Sequence, residues 1–422
     1  MPEDPTNVSM AELGRRVKAA SRVLATAPST QKDAALGAAA DLLEARAGDV
    51  LHANAIDVAR ATETGVSTTV VDRLRLDGGR VVAMANGLRQ VAALSDPVGE
   101  VLDGWVRPNG LKIRRVRVPL GVVAIIYENR PNVTSDAAGL CLKSGNSAFL
   151  RGSSAAITSN ITIASVLREA CAKVDLPADA VVLVEDTSRE AAVDFMRQRN
   201  FVDCLIPRGG PSLIASILAN ATVPYVIDGD GNCHVYVDVG ASLDMARSIV
   251  LNAKTQRPSV CNAAETLLVH QAAAAELFAV LAPELAAKGV EVVADEAARR
   301  LAFGDAAAAT DEDWVREFLD LKLAVKVVAS IDEAIAHIAR YGTGHSEAIV
   351  TDDLAAAERF TTEVDAAAVL VNASTRFVDG EEFGFGAEIG ISTQKLHARG
   401  PMGLRALTTA KYVVTGTGQV RG

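Results

Sequence analysis

From Gly121 onward the chain repeats one pattern: a short run of consecutive apolar, mostly β-branched or aromatic residues, followed by a longer stretch with helical spacing. Val122–Tyr127, Ser147–Leu150, Val181–Val184, Cys204–Ile206 and His234–Val237 are such runs, and a second series lies near Thr266–Val269, Lys326–Val328, Ala348–Val350 and Val369–Val371. A strand wetted on one face alternates polar and apolar residues. These runs do not, so both of their faces are expected to be covered, which is the condition of a parallel sheet held between layers of helices. The fold class that follows is α/β.

The rest of the chain frames that pattern. The first ~95 residues are rich in alanine at helical spacing, as in Ala34-Ala-Leu-Gly-Ala-Ala-Ala-Asp-Leu-Leu, and predict packed helices. Asp103-Gly104 and Pro108-Asn109-Gly110 then punctuate a stretch that alternates apolar and charged residues, Leu111-Lys-Ile-Arg-Arg-Val-Arg-Val, which predicts a β-hairpin. There are no internal repeats or low-complexity linkers. With 422 residues, 49% hydrophobic, the chain has enough apolar surface for a large core and two or more domains.

Composition also excludes functions. A net charge of -10 argues against a nucleic-acid surface, and the basic segment Lys112–Arg117 is short and interleaved with apolar residues. No apolar run approaches the ~18 residues of a membrane span, and Met1-Pro-Glu-Asp-Pro lacks the basic start and apolar core of a secretory signal, so a cytoplasmic protein without a membrane partner is expected. Five scattered cysteines do not make a disulfide framework and are expected to be reduced. The six histidines do not approach cysteines or carboxylates at metal-ligand spacing, and no metal site is expected.

One cysteine stands apart. In Lys254-Thr-Gln-Arg257-Pro258-Ser-Val-Cys261-Asn262-Ala-Ala-Glu265, helical periodicity ends near Pro258 and an extended run begins at Glu265, which puts Cys261 on the connection between them. Lys254 and Arg257 are the nearest charges in sequence, and cations favour the thiolate, the nucleophilic form. A buried structural thiol is the competing reading from these residues alone.

Gly121-Val-Val-Ala-Ile-Ile-Tyr127-Glu128-Asn129-Arg130-Pro131 and Gly145-Asn146-Ser-Ala-Phe-Leu-Arg151-Gly152 together resemble the aldehyde dehydrogenase superfamily. The text from Val328 to Ile349, with Tyr341-Gly342-Thr343-Gly344-His345-Ser346-Glu347, is most similar to its gamma-glutamyl phosphate reductase (glutamate-5-semialdehyde dehydrogenase) branch, and the likeness extends to the ending Thr408-Thr-Ala-Lys-Tyr-Val-Val. The resemblance implies a Rossmann-type cofactor domain (residues 1–97 and 119–233), an α/β catalytic domain (234–405) and a β-hairpin oligomerisation arm (98–118 and 406–422), hence a homo-oligomer. It implies NADPH-dependent reduction of L-glutamyl 5-phosphate to glutamate 5-semialdehyde through a thioester on Cys261, with release of phosphate, as the second step of proline biosynthesis. Another acylating aldehyde dehydrogenase is the alternative, and contact with glutamate 5-kinase is a possible partnership.

Residue roles follow from the same resemblance. Asn129 takes the place of the oxyanion donor, and Glu317 that of the glutamate that holds the nicotinamide ribose, although helical spacing alone reads Glu317 as a solvated face. Ile206-Pro207-Arg208-Gly209-Gly210-Pro211 corresponds to the segment that meets the cofactor phosphates; an ordinary strand-to-helix turn reads the same way. Arg151, Ser153 and Ser154 occupy the place where NAD-dependent relatives carry an acid, and an arginine without that acid suits the 2′-phosphate of NADPH. Arg257, His345 and Arg376 are candidate substrate residues, His345 equally as a residue that fixes a turn. Where hydrolytic relatives carry a glutamate before a Gly-Gly pair, this chain reads Asp228-Gly-Asp230-Gly231, which suits an enzyme that spares its thioester from water.

Overall fold

The computed structural model describes residues 8–421; residues 1–7 and 422, the outer ends of the expected cofactor domain and arm, lie outside the described residues. The chain divides into two compact units, the first holding residues up to 227 with 385–390 and 402 onward, the second 228–384 with 391–401. The division falls six residues before the 233/234 boundary expected from sequence, so the whole Asp228–Cys233 segment belongs with Cys261.

In the first unit a four-stranded parallel sheet has the order Val181–Leu183, Ser147–Arg151, Val122–Tyr127, Cys204–Arg208. Every residue of Val122–Tyr127 is buried, as the unbroken apolar run requires. Val122, Ala124 and Ile126 point into a core with Phe149 and Phe195, whose rings lie 4.8 Å apart. The chain moves outward from the strand at 122 to those at 147 and 181, then returns to the other side of 122 with the strand at 204. That reversal makes the ends of the adjacent strands at 122 and 204, where Tyr127 pairs with Arg208, the topological switch point of the sheet, the place where open α/β sheets take their ligands. The helix Met10–Leu24, capped by the Ser9 side chain on the Glu12 amide, buries Val17 and Leu24.

The expected hairpin is present and gains a third strand. Val101–Val106 pairs antiparallel with Lys112–Pro119, which pairs along its whole length with Thr408–Thr415. Three strands give the ribbon a stability that two lack. Its apolar outer positions are not buried: Trp105, Val106, Tyr412 and Val414 are exposed, and the Trp105 and Tyr412 rings meet edge to face at 6.3 Å.

The second unit is built on a seven-stranded parallel sheet in the order Ala307–Ala308, Glu291–Ala294, Lys322–Val328, Ala264–His270, Cys233–Val237, Ser346–Val350, Ala368–Val371. The run at 234–237, grouped by sequence order with the first series, is a central strand here, between 264–270 and 346–350. A buried apolar run carries no mark of which sheet it joins. Glu291–Ala294 and Ala307–Ala308 were not expected as strands, since four and two residues are too few for a period to show.

Candidate active site

Cys261 lies where the sequence places it. The helix Leu243–Thr255 ends at Gln256, the strand Ala264–His270 begins three residues after the cysteine, and the connection between them is irregular. Cys261 is half-buried, while Cys141, Cys171, Cys204 and Cys233 are buried. Burial drives the Cys171 and Cys204 thiols up to about 12 and those of Cys141 and Cys233 well above the ordinary range, so these four stay protonated and unreactive at neutral pH.

One of the two cations nearest Cys261 in sequence is committed elsewhere. Lys254 turns inward, its Nζ 2.6 Å from Glu265 Oε2, with both side chains fully buried. Burial lifts the Glu265 carboxyl to about 7 against the pull of Lys254. Arg257 is exposed. Arg376 is a guanidinium within electrostatic reach of Cys261, Cys233 and Arg257, and its Nε donates to Gln256 Oε1 at 2.8 Å. It is 115 residues from Cys261 in the chain, so local sequence could not pair them, although the family resemblance did name it.

Beneath the nucleophile runs Asp230-Gly231-Asn232-Cys233. The Gly231 N–H donates to Glu317 Oε1 at 2.8 Å. Glu317 is not on a solvated helix face: the helix Asp311–Val315 ends two residues earlier, and the half-buried carboxylate faces the Gly231 amide. Burial raises the Glu317 pKa, the Gly231 N–H lowers it and the Asp230 charge raises it again. Asn232 Nδ2 ties this floor to the Trp314 and Tyr341 carbonyls at 2.7 and 2.9 Å. His345, open in sequence between a substrate residue and one that fixes a turn, is enclosed. It is fully buried, with Nδ1 2.7 Å from Ser346 Oγ and 3.7 Å from Cys233 Sγ, and burial lowers its pKa to about 4. A neutral, enclosed imidazole presents no surface to a substrate, so its place is structural.

In the first unit the switch point gathers the remaining residues. Asn129 sits just past the strand end in a left-handed conformation (φ 41°), and its Oδ1 accepts the Ser153 hydroxyl at 3.0 Å. That bond occupies the acceptor of the amide and leaves its NH2 edge as the donor. Ser153 is thus an orienter of Asn129, and Ser154 is the exposed member of the pair. Arg151, 8% exposed, donates through Nη2 to the Thr187 and Ser188 carbonyls at 2.9 and 2.7 Å, and Asp186 is within its electrostatic reach. Asp186 lies on a loop 35 residues on, so its charge beside Arg151 is set by folding and not by local sequence. Arg208 is half-buried and lies within electrostatic reach of the exposed Asp136, whose Oδ2 accepts the Asn132 side-chain amide at 2.8 Å. Gly209 and Gly210 are exposed at the start of the helix Pro211–Asn220, and the Gly210 amide donates to Glu128 Oε2 at 3.2 Å. One of the amides expected to meet an anion already meets a carboxylate of the chain. Cys233, Glu128, Asp186 and Glu265 had no sequence signal, because only folding brings them to their partners. Among the described residues no group of three or more His, Cys, Asp or Glu side chains could hold a metal ion, and no helix is long and apolar enough to cross a membrane.

Comparison with known proteins places this arrangement. The aldehyde dehydrogenase family pattern matches residues 6–320. The gamma-glutamyl phosphate reductase of Caldanaerobacter subterraneus subsp. tengcongensis is 54% identical over 407 residues, 96% of this chain and 98% of that protein. That of Thermobifida fusca is 55% identical over 410 residues, 97% of this chain and 98% of the relative. Among solved structures, the gamma-glutamyl phosphate reductase of Thermotoga maritima superposes with a TM-score of 0.95 at 50% identity, covering 97% of this chain and 99% of that one. An acetylating aldehyde dehydrogenase from Geobacillus thermoglucosidasius, 18% identical with a TM-score of 0.68 and 97% of each chain covered, shares the fold.

Proposed function

Because the chain belongs to the aldehyde dehydrogenase family, in its gamma-glutamyl phosphate reductase branch, we propose that it reduces L-glutamyl 5-phosphate to L-glutamate 5-semialdehyde with a nicotinamide cofactor and releases phosphate, the second step of proline biosynthesis. The observation that carries the reading is Cys261, the half-exposed thiol among four buried and protonated ones, with Arg376 in electrostatic reach. Its thiolate attacks the acyl phosphate carbon, the C–O bond to phosphate breaks, and a thioester remains on the enzyme. The negative charge on the carbonyl oxygen during attack calls for preorganised donors. Asn129 is assigned that task by its place in the motif, and Ser153 orients its amide. When bound, NADPH supplies the hydride that takes the thioester to the aldehyde level. Glu317 is assigned to its ribose hydroxyls, and the Arg208-Gly209-Gly210 turn at the switch point to its phosphates. These residues suit the group: a half-buried carboxylate and a glycine-led helix start at a sheet reversal are acceptor and donor of the right kind.

Preference for NADPH over NADH is part of the proposal and rests on Arg151 with the exposed Ser154. Arg257 and Arg376 supply positive charge for a substrate that carries a phosphate and an α-carboxylate. The deciding experiment follows NADPH oxidation with glutamyl 5-phosphate generated in place by a kinase and ATP, beside acyl-CoA arms. Oxidation with the acyl phosphate and none with the thioesters supports the reading. The reverse makes the chain a CoA-acylating dehydrogenase.

A further inference from the structure

The connection from Arg257 to Ala263 is irregular backbone, with the Ala263 amide on the Val260 carbonyl at 3.0 Å. A nucleophile on irregular backbone needs another means of being aimed. Two groups of the floor segment converge on the Cys261 carbonyl. Gly231 packs so closely beneath it that a Cβ there would lie 1.6 Å from the oxygen and 2.4 Å from the carbonyl carbon, an overlap that no side chain tolerates. Cys233, two residues on, directs its Sγ at the same oxygen from 3.2 Å. The segment holds its own shape through the Cys233 amide on the Gly231 carbonyl at 2.9 Å, and Cys233 opens the strand that pairs with Ala264.

The Cys233 thiol has one proton and two polar neighbours in reach, the Cys261 oxygen at 3.2 Å and His345 Nδ1 at 3.7 Å. The nearer one takes it. Ser346 Oγ, 2.7 Å from His345 Nδ1, already occupies that nitrogen. Cys233 is fully buried, so the thiol stays protonated and remains a donor. Downstream, Asn262 Nδ2 donates to the Val378 carbonyl at 3.0 Å, which fixes the residue that follows. With the carbonyl clamped from below and from the side, ψ of Cys261 is set, and with it the direction in which the Cα–Cβ bond carries the reactive sulfur.

We propose that Cys233 is the positioning residue of the nucleophile: its buried thiol donates to the Cys261 carbonyl over a Gly231 that must lack a side chain, and together they aim Cys261. The inference rests on Cys261 being the nucleophile. It assigns a role to a second cysteine that takes no part in bond making and that bulk solvent does not reach.

The test compares Cys233→Ala, Cys233→Ser and Cys233→Val with the parent, using phosphate-dependent NADP reduction by glutamate 5-semialdehyde and the rate at which iodoacetamide modifies Cys261, located by mass spectrometry. Cys233→Ala should lower kcat by tenfold or more while KM for semialdehyde and NADP stays within about twofold, and should slow alkylation at Cys261 across pH 6–9 without shifting its midpoint. Cys233→Ser, which restores a donor, should recover most of kcat. Parental kcat in Cys233→Ala overturns the inference, as does equal loss in the alanine and serine variants, which would mean that volume and not donation matters. Should the alanine variant fail to fold, serine against valine decides: valine fills the space and donates nothing, so equal kcat in those two overturns the inference. Cys261→Ser run alongside separates the two levels, because activity retained there removes the nucleophile assignment itself.

Discussion

Replacing His337 with phenylalanine should make the second unit markedly less sensitive to mild acid. His337 is 4% exposed, packed edge-on against Trp314 with ring centres 5.2 Å apart and against His234 at 5.5 Å, and tilted against Tyr341 at 4.7 Å. Burial, with the charges of His234, Lys326 and Arg340 adding to it, lowers its pKa from 6.5 to about 3. A histidine whose folded pKa is depressed contributes stability that is fully present above its unfolded pKa and is lost as pH falls below that value, because only the unfolded chain then takes up the proton. The loss is about 1.4 kcal/mol per pH unit, so between pH 6.5 and pH 5 the parent forfeits on the order of 2 kcal/mol through His337 alone. Glu265, lifted to about 7, works in the opposite direction over the same window, so the net pH dependence of the parent understates the effect. The difference between variant and parent removes that contribution, which both proteins share. Phenylalanine keeps the ring contacts and cannot be protonated. Urea unfolding followed by Trp314 fluorescence at pH 7 and pH 5 reads the difference, and ΔΔG should move by about 2 kcal/mol in favour of the variant as the pH drops. An unchanged ΔΔG would show that His337 is not held neutral by its surroundings, and the reasoning would fail.

Cys261→Ser should keep the fold and abolish turnover, and in the parent Cys261 should alkylate before Cys141, Cys171, Cys204 and Cys233; modification of any buried thiol first would contradict the assignment. Arg151→Ala should weaken NADP(H) more than NAD(H) in titration, because only the former brings the extra phosphate; equal losses would confine Arg151 to its carbonyl partners Thr187 and Ser188. Removing residues 408 onward deletes the strand that pairs with Lys112–Pro119 and should dissociate an oligomer whose arm presents Trp105 and Val106, as read by sedimentation. A full-length protein that is monomeric at micromolar concentration removes that expectation.

What the sequence made legible was whatever depends on local pattern. The runs at 122–127, 147–150 and 204–206 became strands because unbroken β-branched sequence can satisfy its backbone only inside a covered sheet, and Cys261 fell between a helix and a strand because proline and glycine-poor extended sequence mark both boundaries. What it concealed depends on distance along the chain. The inward turn of Lys254 onto Glu265 bridges 11 residues across an irregular connection, and the contact of His345 with Cys233 and the Asp186 charge beside Arg151 come from residues tens of positions away. Glu317 shows both sides: its helical neighbourhood reads as surface, yet that helix stops at Val315 and a glycine amide 86 residues back takes the carboxylate.

In the oxidative direction phosphate, and not water, is expected to remove the acyl group from Cys261. Asp228, in the place of the hydrolytic glutamate, is one methylene shorter and is held in an antiparallel bridge to Ser392. The direct measurement is NADP reduction by glutamate 5-semialdehyde with and without inorganic phosphate. Sustained turnover only with phosphate, and at most one equivalent of NADPH per Cys261 without it, is the predicted result; steady turnover in phosphate-free buffer would contradict it.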